Sequence, residues 1–391
     1  MSDLILPEDN SNGHSSNGNG NGHKSQPIKK AAIIYSFVKR EFFPTEAQYT
    51  TEKAAYDDAV FIGKELEKMG IETTLIPTND SIIEQLSACK PEMVFNLADS
   101  IKGNEYLSAT IPGILDMMDI PFTGSGLLGL ALCYNKFLIK KLLQTAGIPV
   151  PNFQLFHSST DKLNMDMRFP LISKLNEIHG AVEINQDAVS ETEKHLRDRL
   201  AYLIKTYNQP VIVEEFITGR EITAYVLQGN VTKIYFAEKV FNKPDQKYIF
   251  ATFDDQWGDS SSDKSTWPYT YAKYEDNLLK DYVKRAFDIT DMQDYAKFDV
   301  RLDASGRYYF IDSNANPAFG PKELNTSMGL IIQELYGVPF CEILRRLINN
   351  TLGVNSESGI STGGEALPEP VVATTASQNP LDATASVSAS D

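Results

Sequence analysis

Two short stretches near residue 300 carry side chains that could bind a metal ion. Their residues alternate as β-strands do. The faces that would point the same way carry Lys297, Asp299 and Arg301 in the first stretch and Tyr308, Phe310, Asp312 and Asn314 in the second. A four-residue turn from Ala304 to Arg307 would join the stretches as a hairpin. Asp299 would then lie directly opposite Asp312, with Cβ atoms roughly 5 Å apart.

Two facing carboxylates are suited to a hard cation. Mg²⁺ prefers oxygen ligands and shares them with substrate phosphates, and the amide oxygen of Asn314 could complete the set. A surface hairpin with solvated acids would show the same alternation. The Asn-Ala-Asn-Pro exit and an apolar opposite face favour a site. That opposite face is expected to carry Val300, Leu302, Tyr309 and Ile311.

The remainder of the chain alternates between apolar strands and amphipathic helices, which is typical of an α/β protein. Strands at 31–35, 73–76 and 93–96 with a helix at 50–69 predict a parallel, doubly wound first lobe. A helix at 127–146 begins a second lobe, in which strands at 171–175, 211–216 and 222–228 surround a helix at 191–205. A third lobe is expected to hold 231–241, a helix at 276–287, the hairpin and a final helix at 341–349.

Composition indicates a cytoplasmic protein. The chain has 391 residues and is 42% hydrophobic, enough for two or three packed lobes. No apolar run approaches the roughly 20 residues of a membrane span, and residues 1–7 lack the pattern of a signal peptide. Cys89, Cys133 and Cys341 have no metal-ligand spacing, so buried, reduced thiols are expected.

The net charge of −16 is partly a property of the two ends. Residues 1–28 contribute −2 and residues 354–391 contribute −5, which leaves about −9 on the body. An acidic body argues against a nucleic-acid partner, since a phosphate backbone requires a basic footprint. Both ends are of low complexity and are expected to be disordered. His14 and His23 are interpreted as linker residues in the first of them.

Five further motifs precede the hairpin: Val94-Phe95-Asn96, Pro121-Phe122-Thr123-Gly124-Ser125-Gly126, Asn135-Lys136, Pro170-Leu171-Ile172-Ser173-Lys174 and Val213-Glu214-Glu215-Phe216-Ile217-Thr218-Gly219-Arg220-Glu221. In this order they resemble the ATP-grasp ligases, and more narrowly the D-alanine–D-alanine ligase group, over about residues 30 to 350. The resemblance implies an ATP-grasp fold of three lobes, at 29–125, 126–228 and 229–353.

The resemblance also implies a nucleotide site. Lys136 and Lys174 match lysines that contact the ATP phosphates, although each could be an ordinary solvated lysine. Glu214 matches the residue that meets the adenine amino group, Glu215 and Ile217 supply hinge backbone groups, and Glu221 matches the ribose ligand. Glu214 and Glu215 could instead be charges on an edge strand.

The metal and phosphoryl-transfer groups follow from the same resemblance. Asp299, Asp312 and Asn314 match the ligands of Mg²⁺, for which two ions are expected. The family usually has Glu where Asp312 stands. Lys297 occupies the place of an arginine that steadies the transferred phosphoryl group. Lysine lacks the bidentate fork of an arginine side chain, and Arg301 on the same face is expected to supply that fork. ATP and Mg²⁺ are thus the expected cofactors.

The acceptor side departs from the family. The Ser-x-Glu loop is replaced by residues 36–43, the His-Gly loop by 97–105, and the Glu-Gly-Ser-Ser flap by Glu177-Ile178-His179-Gly180-Ala181. For the later loop lysine, Lys243 and Lys247 are only approximate candidates. The expected substrates are therefore small molecules other than two D-alanines.

Among relatives with altered acceptor loops, the chain looks most like the ligases of mycosporine-like amino acid biosynthesis, which join serine or threonine to mycosporine-glycine. A D-alanine–D-alanine or other dipeptide ligase is the alternative. A non-catalytic ATP-binding regulatory protein is a third reading. A homodimer is compatible with each of them.

Overall fold

The computed structural model describes residues 28–258 and 266–353. The two ends for which disorder is expected, including His14 and His23, lie outside the described residues. The described part contains three sheets, and their strands and helices alternate as an α/β protein requires.

The first sheet is parallel, with the strand order β2-β1-β3. Its strands are β1 (Lys30–Tyr35), β2 (Glu72–Pro77) and β3 (Met93–Leu97). They alternate with α1 (Glu46–Glu52), α2 (Ala55–Lys68) and α3 (Ile82–Cys89), and α4 (Glu105–Ser108) and α5 (Thr110–Met117) follow. The carboxyl ends of β1 and β3 open into one crevice, where parallel sheets usually bind ligands. The Ser36 hydroxyl ties the two loops together by accepting from the backbone N–H groups of Asp99 and Ser100, at 2.9 and 3.0 Å.

The second sheet is antiparallel, with the order β4-β7-β5-β6. Its strands are β4 (Phe153–Phe156), β5 (Leu171–Leu175), β6 (Val189–Ser190) and β7 (Val211–Glu215). Helix α8 (Glu193–Tyr207) covers one face, and its apolar side packs with the strands in a common core.

The third sheet has the order β10-β9-β8-β11-β12 and is antiparallel throughout. Its strands are β8 (Arg220–Leu227), β9 (Lys233–Phe241), β10 (Tyr269–Tyr274), β11 (Tyr295–Leu302) and β12 (Tyr308–Asn314). Helices α6 (Leu127–Cys133), α7 (Lys136–Thr145) and α10 (Asn277–Ile289) share a core with one face. The described chain also contains α9 (Phe253–Trp257), α11 (Phe340–Thr351), a π-helix at Gly329–Leu335 and short 3-10 helices at Arg40–Phe42, Gln186–Ala188 and Lys322–Leu324.

Two predicted long helices are each divided in two. The helix expected at 50–69 is α1 and α2, and the one expected at 127–146 is α6 and α7. Asn135 causes the second break, because its side-chain oxygen accepts from the N–H of Leu138 at 3.0 Å and so begins a new helix. The break places Lys136 in the first turn of α7, at the edge of the cleft between the sheets.

The hairpin forms, and Asp299 is paired with Asp312 as predicted. The predicted turn is wrong by one residue, because Leu302 pairs with Tyr308 and five residues separate the strands. A β-bulge at Ile311 absorbs the difference and restores the predicted pairing at the carboxylates. Phe310 therefore packs in the core against Phe298, and Ile311 lines the cleft, which reverses the faces predicted for these two residues. Tyr308 likewise lies in the core.

The sheets also bear on the proposed lobe boundaries. The sequence predicts the strand at 222–228 as part of the second lobe, but the corresponding strand β8 pairs with β9 and β11 of the third sheet. A boundary before residue 220 fits the hydrogen bonding better than one at residue 228. Helix α11 returns to the first lobe, where Leu344 shares a core with Ile33 and Phe95.

Within the described ranges, no helix has the length and apolar character needed to cross a membrane. Cys133 is a buried free thiol as predicted, whereas Cys89 and Cys341 are only half-buried.

Candidate active site

A cleft between the sheets holds two adjoining cavities of about 230 and 510 Å³, here called the first cavity and the second cavity. The first lies between β5 and β7 on one side and β8, β9, β11 and β12 on the other. The second extends from it toward α1, α2 and the residues before β10. Glu52, Asp99 and Asn316 line both cavities and so mark their junction. All eleven predicted site residues line the first cavity: Lys136, Lys174, Glu214, Glu215, Ile217, Glu221, Lys297, Asp299, Arg301, Asp312 and Asn314.

Asp299 is the most heavily paired carboxylate of the hairpin. One oxygen accepts from Thr223 Oγ1 at 2.7 Å and lies 3.5 Å from Lys239 Nζ, and the other lies 2.7 Å from Lys297 Nζ. Burial alone would raise the pKa of Asp299, but the two ammonium groups outweigh it and hold the pKa below its ordinary range. Asp299 is therefore ionised at any physiological pH.

Asp312, in contrast, makes no hydrogen bond or ion pair with the other residues that the structure describes. Burial would raise its pKa, but the nearby charges of Lys136, His179 and Lys174 outweigh burial and lower it. Asn314 lies two residues further along β12, where its Oδ1 accepts from the N–H of Asn316 at 3.0 Å. An ionised carboxylate without a direct partner, opposite Asp299, is suited to receive a cation.

Glu214 lines the first cavity and is completely buried. Its Oε2 accepts from Lys174 Nζ at 3.0 Å, and its Oε1 lies 3.3 Å from Lys140 Nζ but has no hydrogen-bond partner. Both lysines also donate to the carbonyl of Ile311, at 3.0 and 3.2 Å. The β-bulge thus supplies an acceptor that holds two ammonium groups beside Glu214.

Glu221 is held between two cations. Lys239 Nζ lies 2.6 Å from Oε1, and Arg301 Nη2 lies 3.0 Å from Oε2. The Arg301 guanidinium also donates to the carbonyls of Gly219 and Ile249, at 3.0 and 2.9 Å. Arg301 was predicted to supply the fork that Lys297 lacks, but the structure places its guanidinium on Glu221 and two backbone carbonyls.

The segment after β7 is the predicted hinge. The N–H of Glu215 donates to the carbonyl of Asn152 at 2.9 Å, and its Oε1 accepts from the N–H of Arg168 at 2.9 Å. The N–H of Phe216 donates to the carbonyl of Pro170 at 2.9 Å. Ile217 follows on the cavity wall. These bonds fix the strand, and its carboxyl end borders the first cavity.

The segment 177–183, here called the flap, closes over the first cavity. Nδ1 of His179 lies 3.0 Å from Glu105 Oε2, and the N–H of the same histidine donates to that carboxylate at 2.9 Å. Trp257 Nε1 donates to the carbonyl of Gly180 at 2.8 Å. Burial and Lys136 would lower the pKa of His179, but its hydrogen bonds to Cys133 and Glu105 outweigh them and raise the pKa to about 9.

Several functional side chains were not found from the sequence. Lys239, Lys140 and His179 lie among or beside the predicted residues, and Glu52 and Asp99 line the junction of the cavities. The alternation of side chains along β9 could have indicated Lys239, since Lys239 shares a face of that strand with Ala237 and Phe241. Lys243 and Lys247, the approximate candidates for the family loop lysine, line neither cavity. Lys243 pairs with Asp255, and Lys247 lies 2.5 Å from Glu191.

The described residues fit ATP and Mg²⁺. The unsatisfied Oε1 of Glu214 could accept from the amino group of an adenine, and Ile172, Phe216 and Ile311 give the cavity flat apolar walls. No group of three or more His, Cys, Asp or Glu side chains within 28–258 and 266–353 could enclose a metal by itself. Two carboxylates and one amide are what a cation shared with phosphates requires, because the phosphates and water complete its shell.

Comparison with known proteins agrees with this geometry. Residues 142–349 match the family described as "D-ala D-ala ligase C-terminus". The chain is 30% identical over 260 residues to the uncharacterized protein y4sG of Sinorhizobium fredii, covering 64% of this chain and 76% of that protein. It is 28% identical over 259 residues to D-alanine–D-alanine ligase B of Pseudomonas putida, covering 64% of this chain and 75% of that protein.

The fold is similar to solved D-alanine–D-alanine ligases. A crystal structure of the Bacillus anthracis enzyme complexed with ATP superimposes with a TM-score of 0.61 at 19% identity, over 85% of this chain and 100% of that one. The predicted ATP-grasp fold is therefore confirmed. The family relationship confirms the predicted class, an ATP-grasp carbon–nitrogen ligase that uses ATP and Mg²⁺ and forms ADP and phosphate. The chain belongs to the D-ala D-ala ligase C-terminus family.

Proposed function

We propose that this protein joins the amine of an amino acid to a substrate carbon that it first activates by phosphorylation. The favoured pair is mycosporine-glycine with serine or threonine, giving an imino-mycosporine. One observation carries the proposal: the groups around the first cavity keep the family pattern, whereas the residues around the acceptor do not. In the flap, Gly180-Ala181 cannot supply the serine hydroxyl of the family, and the loop after β3 presents Asp99.

The first step in this scheme moves the γ-phosphoryl group of ATP to a substrate oxygen and releases ADP. Asp299 and Asp312 would hold Mg²⁺ against the phosphates, with Asn314 as a neutral oxygen ligand. Lys136, Lys174 and Lys297 would offset the negative charge. Such a transfer involves little covalent chemistry by the protein, so positioning and fixed charges account for most of the rate.

In the second step the unprotonated amine attacks the activated carbon and forms the carbon–nitrogen bond. The carbon–oxygen bond to phosphate breaks, phosphate leaves with that electron pair, and the proton lost by the nitrogen passes to solvent. Nucleotide recognition would rest on Glu214 for the adenine amino group, Glu215 and Ile217 for backbone contacts, and Glu221 for the ribose. Because Arg301 already pairs with Glu221, we propose that it positions this carboxylate rather than contacting the phosphoryl group.

Dipeptide ligation is the second candidate. It is favoured by the relatives, since both the Pseudomonas putida protein and the Bacillus anthracis structure are named as D-alanine–D-alanine ligases.

A non-catalytic ATP-binding protein is the third candidate. It is disfavoured by the retention of Asp299, Asp312, Asn314, Lys136 and Lys174 in the first cavity, because decay of function usually erodes the metal ligands first.

Release of ADP in the presence of ATP and Mg²⁺ tests these candidates. The substrates are D-alanine alone, pairs of amino acids, and mycosporine-glycine with serine or threonine. We expect turnover with the last set and little with D-alanine alone. Turnover near 1 s⁻¹ with D-alanine, a typical enzymatic order of magnitude, would reject the favoured substrates and support dipeptide ligation. Binding of ATP with no ADP release under any condition would support the non-catalytic reading.

A further inference from the structure

The second cavity has an unusual set of charges. Among the described residues that line it there is no Lys, Arg or His. The carboxylates that line it are Glu52, Asp58, Asp99, Asp254 and Asp255. Asp255 pairs with Lys243, which lies outside the cavity, so the other four can give the cavity a negative potential where they are ionised.

One of these carboxylates lacks a partner although it is almost completely buried. Glu52 is 5% exposed and lies at the junction of the two cavities. Its Oε2 accepts from Ser100 Oγ at 2.6 Å, but its Oε1 has no hydrogen-bond partner. The Ser36 hydroxyl lies near this carboxyl, but no hydrogen-bond geometry joins it to Oε1. A buried acceptor left unpaired is costly unless a ligand supplies the missing donor.

Asp99 lies beside Glu52 and is oriented by a neighbour. Its Oδ1 accepts from Asn316 Nδ2 at 3.0 Å, and Asn316 in turn donates to the carbonyl of Ala98 at 3.2 Å. The pKa of Glu52 is raised to about 8 by burial and by Asp99, and the pKa of Asp99 is raised to about 7 by burial and by Glu105. A cation placed between the two carboxylates would relieve this repulsion.

The opposite wall of the second cavity is aromatic. It is formed by Trp257, Trp267, Tyr269, Tyr271 and Phe319. Aromatic faces attract cations and pack against flat or apolar bodies, whereas they give nothing to an anion. An acidic junction and an aromatic wall therefore select the same kind of ligand.

We propose that the second cavity binds the amine substrate, with its primary ammonium group between Glu52 and Asp99 and its body against the aromatic wall. This inference rests on the proposed ligase function for the statement that the bound amine is a substrate. The ammonium then lies at the junction with the first cavity, where a phosphorylated carbon would be presented. The unpaired Oε1 of Glu52 is an acceptor that an ammonium donor would satisfy, so the ammonium is the recognised end.

The two tryptophans of the chain, Trp257 and Trp267, both line the second cavity, and Trp257 also lines the first, so the change in tryptophan fluorescence on adding an amine is compared at a fixed ADP concentration. The full-length protein is titrated with L-serine, ethanolamine and N-acetyl-L-serine, with and without ADP and Mg²⁺. Calorimetry measures the same binding independently. We expect saturable binding of L-serine, a loss of less than about tenfold for ethanolamine, and no binding of N-acetyl-L-serine.

Glu52→Gln and Asp99→Asn keep the size of each side chain and remove its charge. Each is expected to weaken L-serine binding by about tenfold or more, the order of a hydrogen bond to a charged group. Asp57→Asn is the matched control, because Asp57 is an exposed neighbour on α2 that lines neither cavity, and it should bind as the wild type does. Circular dichroism and ADP affinity check the fold of each variant, and Asp99→Asn serves alone if Glu52→Gln does not fold.

The pH dependence gives a further readout. Ammonium binding needs ionised carboxylates, so affinity for L-serine should increase as the pH rises through 7 and 8. This dependence should be weaker in Asp99→Asn. The titratable groups that face the pair are Asp58, Glu105, Tyr134, His179 and Tyr295.

Three outcomes would overturn the inference: equal affinity for N-acetyl-L-serine and L-serine, wild-type affinity in both carboxylate variants, or no binding of L-serine by either method. Loss of all affinity for ethanolamine would also overturn it, because the carboxylate would then be the recognised end. If amines bind as expected but no ADP is released, the ligase proposal fails and the binding site stands. If ADP is released and the variants bind normally, the ligase proposal stands and this site fails.

Discussion

At the scale of single residues, the hairpin carboxylates differ in how much of their charge is already compensated. Asp299 is paired with Lys297 and Thr223, whereas Asp312 makes no direct contact with a cation among the described residues. Asp312 is therefore the carboxylate most available to Mg²⁺, and its charge should matter more to phosphoryl transfer than to folding.

Asp312→Asn should reduce turnover by about 10²-fold or more, the order of losing one electrostatic stabiliser of a transition state. The fold and part of the nucleotide affinity should remain, because Glu214 and the hinge after β7 lie elsewhere in the first cavity. Steady-state ADP release and ADP affinity, each measured across a magnesium titration, separate the two effects.

Asp288→Asn makes the same chemical change on an exposed face of α10, outside both cavities, and should leave the rate unchanged. Near-normal turnover of the Asp312 variant at every magnesium concentration would show that the hairpin is not the metal site.

At the scale of elements, the flap is held to the first lobe by the His179–Glu105 ion pair and by the hydrogen bond from the His179 backbone N–H to the same carboxylate. His179 and Glu105 come from different lobes and are nearly buried, with 10% and 6% of their side chains exposed. Since the pKa of His179 is raised to about 9 in the folded protein, the imidazolium form persists at neutral pH. The contribution of the pair to stability should be complete below the ordinary histidine pKa of 6.5 and should be lost as the pH rises through 9.

A double-mutant cycle with His179→Gln and Glu105→Gln measures this pair. The coupling in the free energy of unfolding should be about 1–3 kcal/mol at neutral pH and should be smaller above the folded pKa of His179. The same cycle on Asp281 and Arg285, an exposed pair 3.2 Å apart on α10, should give about 0.5 kcal/mol or less. A coupling that is the same on both sides of pH 9 would mean that protonated His179 does not hold the flap.

At the scale of the whole molecule, the described residues that line the two cavities all lie between 51 and 330. The helix that completes the core of the first lobe, α11, ends at Thr351. A shortened chain that spans residues 28–353 should therefore keep its turnover and its nucleotide affinity within about twofold, since surface changes away from a site rarely cost more than ±0.5 kcal/mol.

Comparison of ADP release by the shortened and full-length chains, at matched concentration and with the fold checked by circular dichroism, tests this. A tenfold loss of activity in a folded, shortened protein would mean that the low-complexity ends take part in catalysis.

The predictions that hold were made from patterns of residues that lie close together in the sequence. The alternation of residues 297–302 and 308–314 was enough to predict a hairpin with Asp299 opposite Asp312, and short motifs were enough to predict that Lys136, Lys174 and Glu214 would meet in one cleft. Strand periodicity depends on local geometry, so the sequence by itself determined the α/β class and most strands. The resemblance carried by the motifs supplied eleven residues that line the first cavity, but not Lys239 or His179.

The tertiary structure decided what depends on contacts between distant residues. The bulge at Ile311 reversed a predicted face, because the turn has one residue more than the alternation implies. Arg301 pairs with Glu221, 80 positions earlier in the chain. Glu52 lies near Asp99 only because α1 packs beside the loop after β3. The strength of an interaction between two charged groups depends on the distance between them in space and on their burial. Neither quantity can be read from their spacing along the chain.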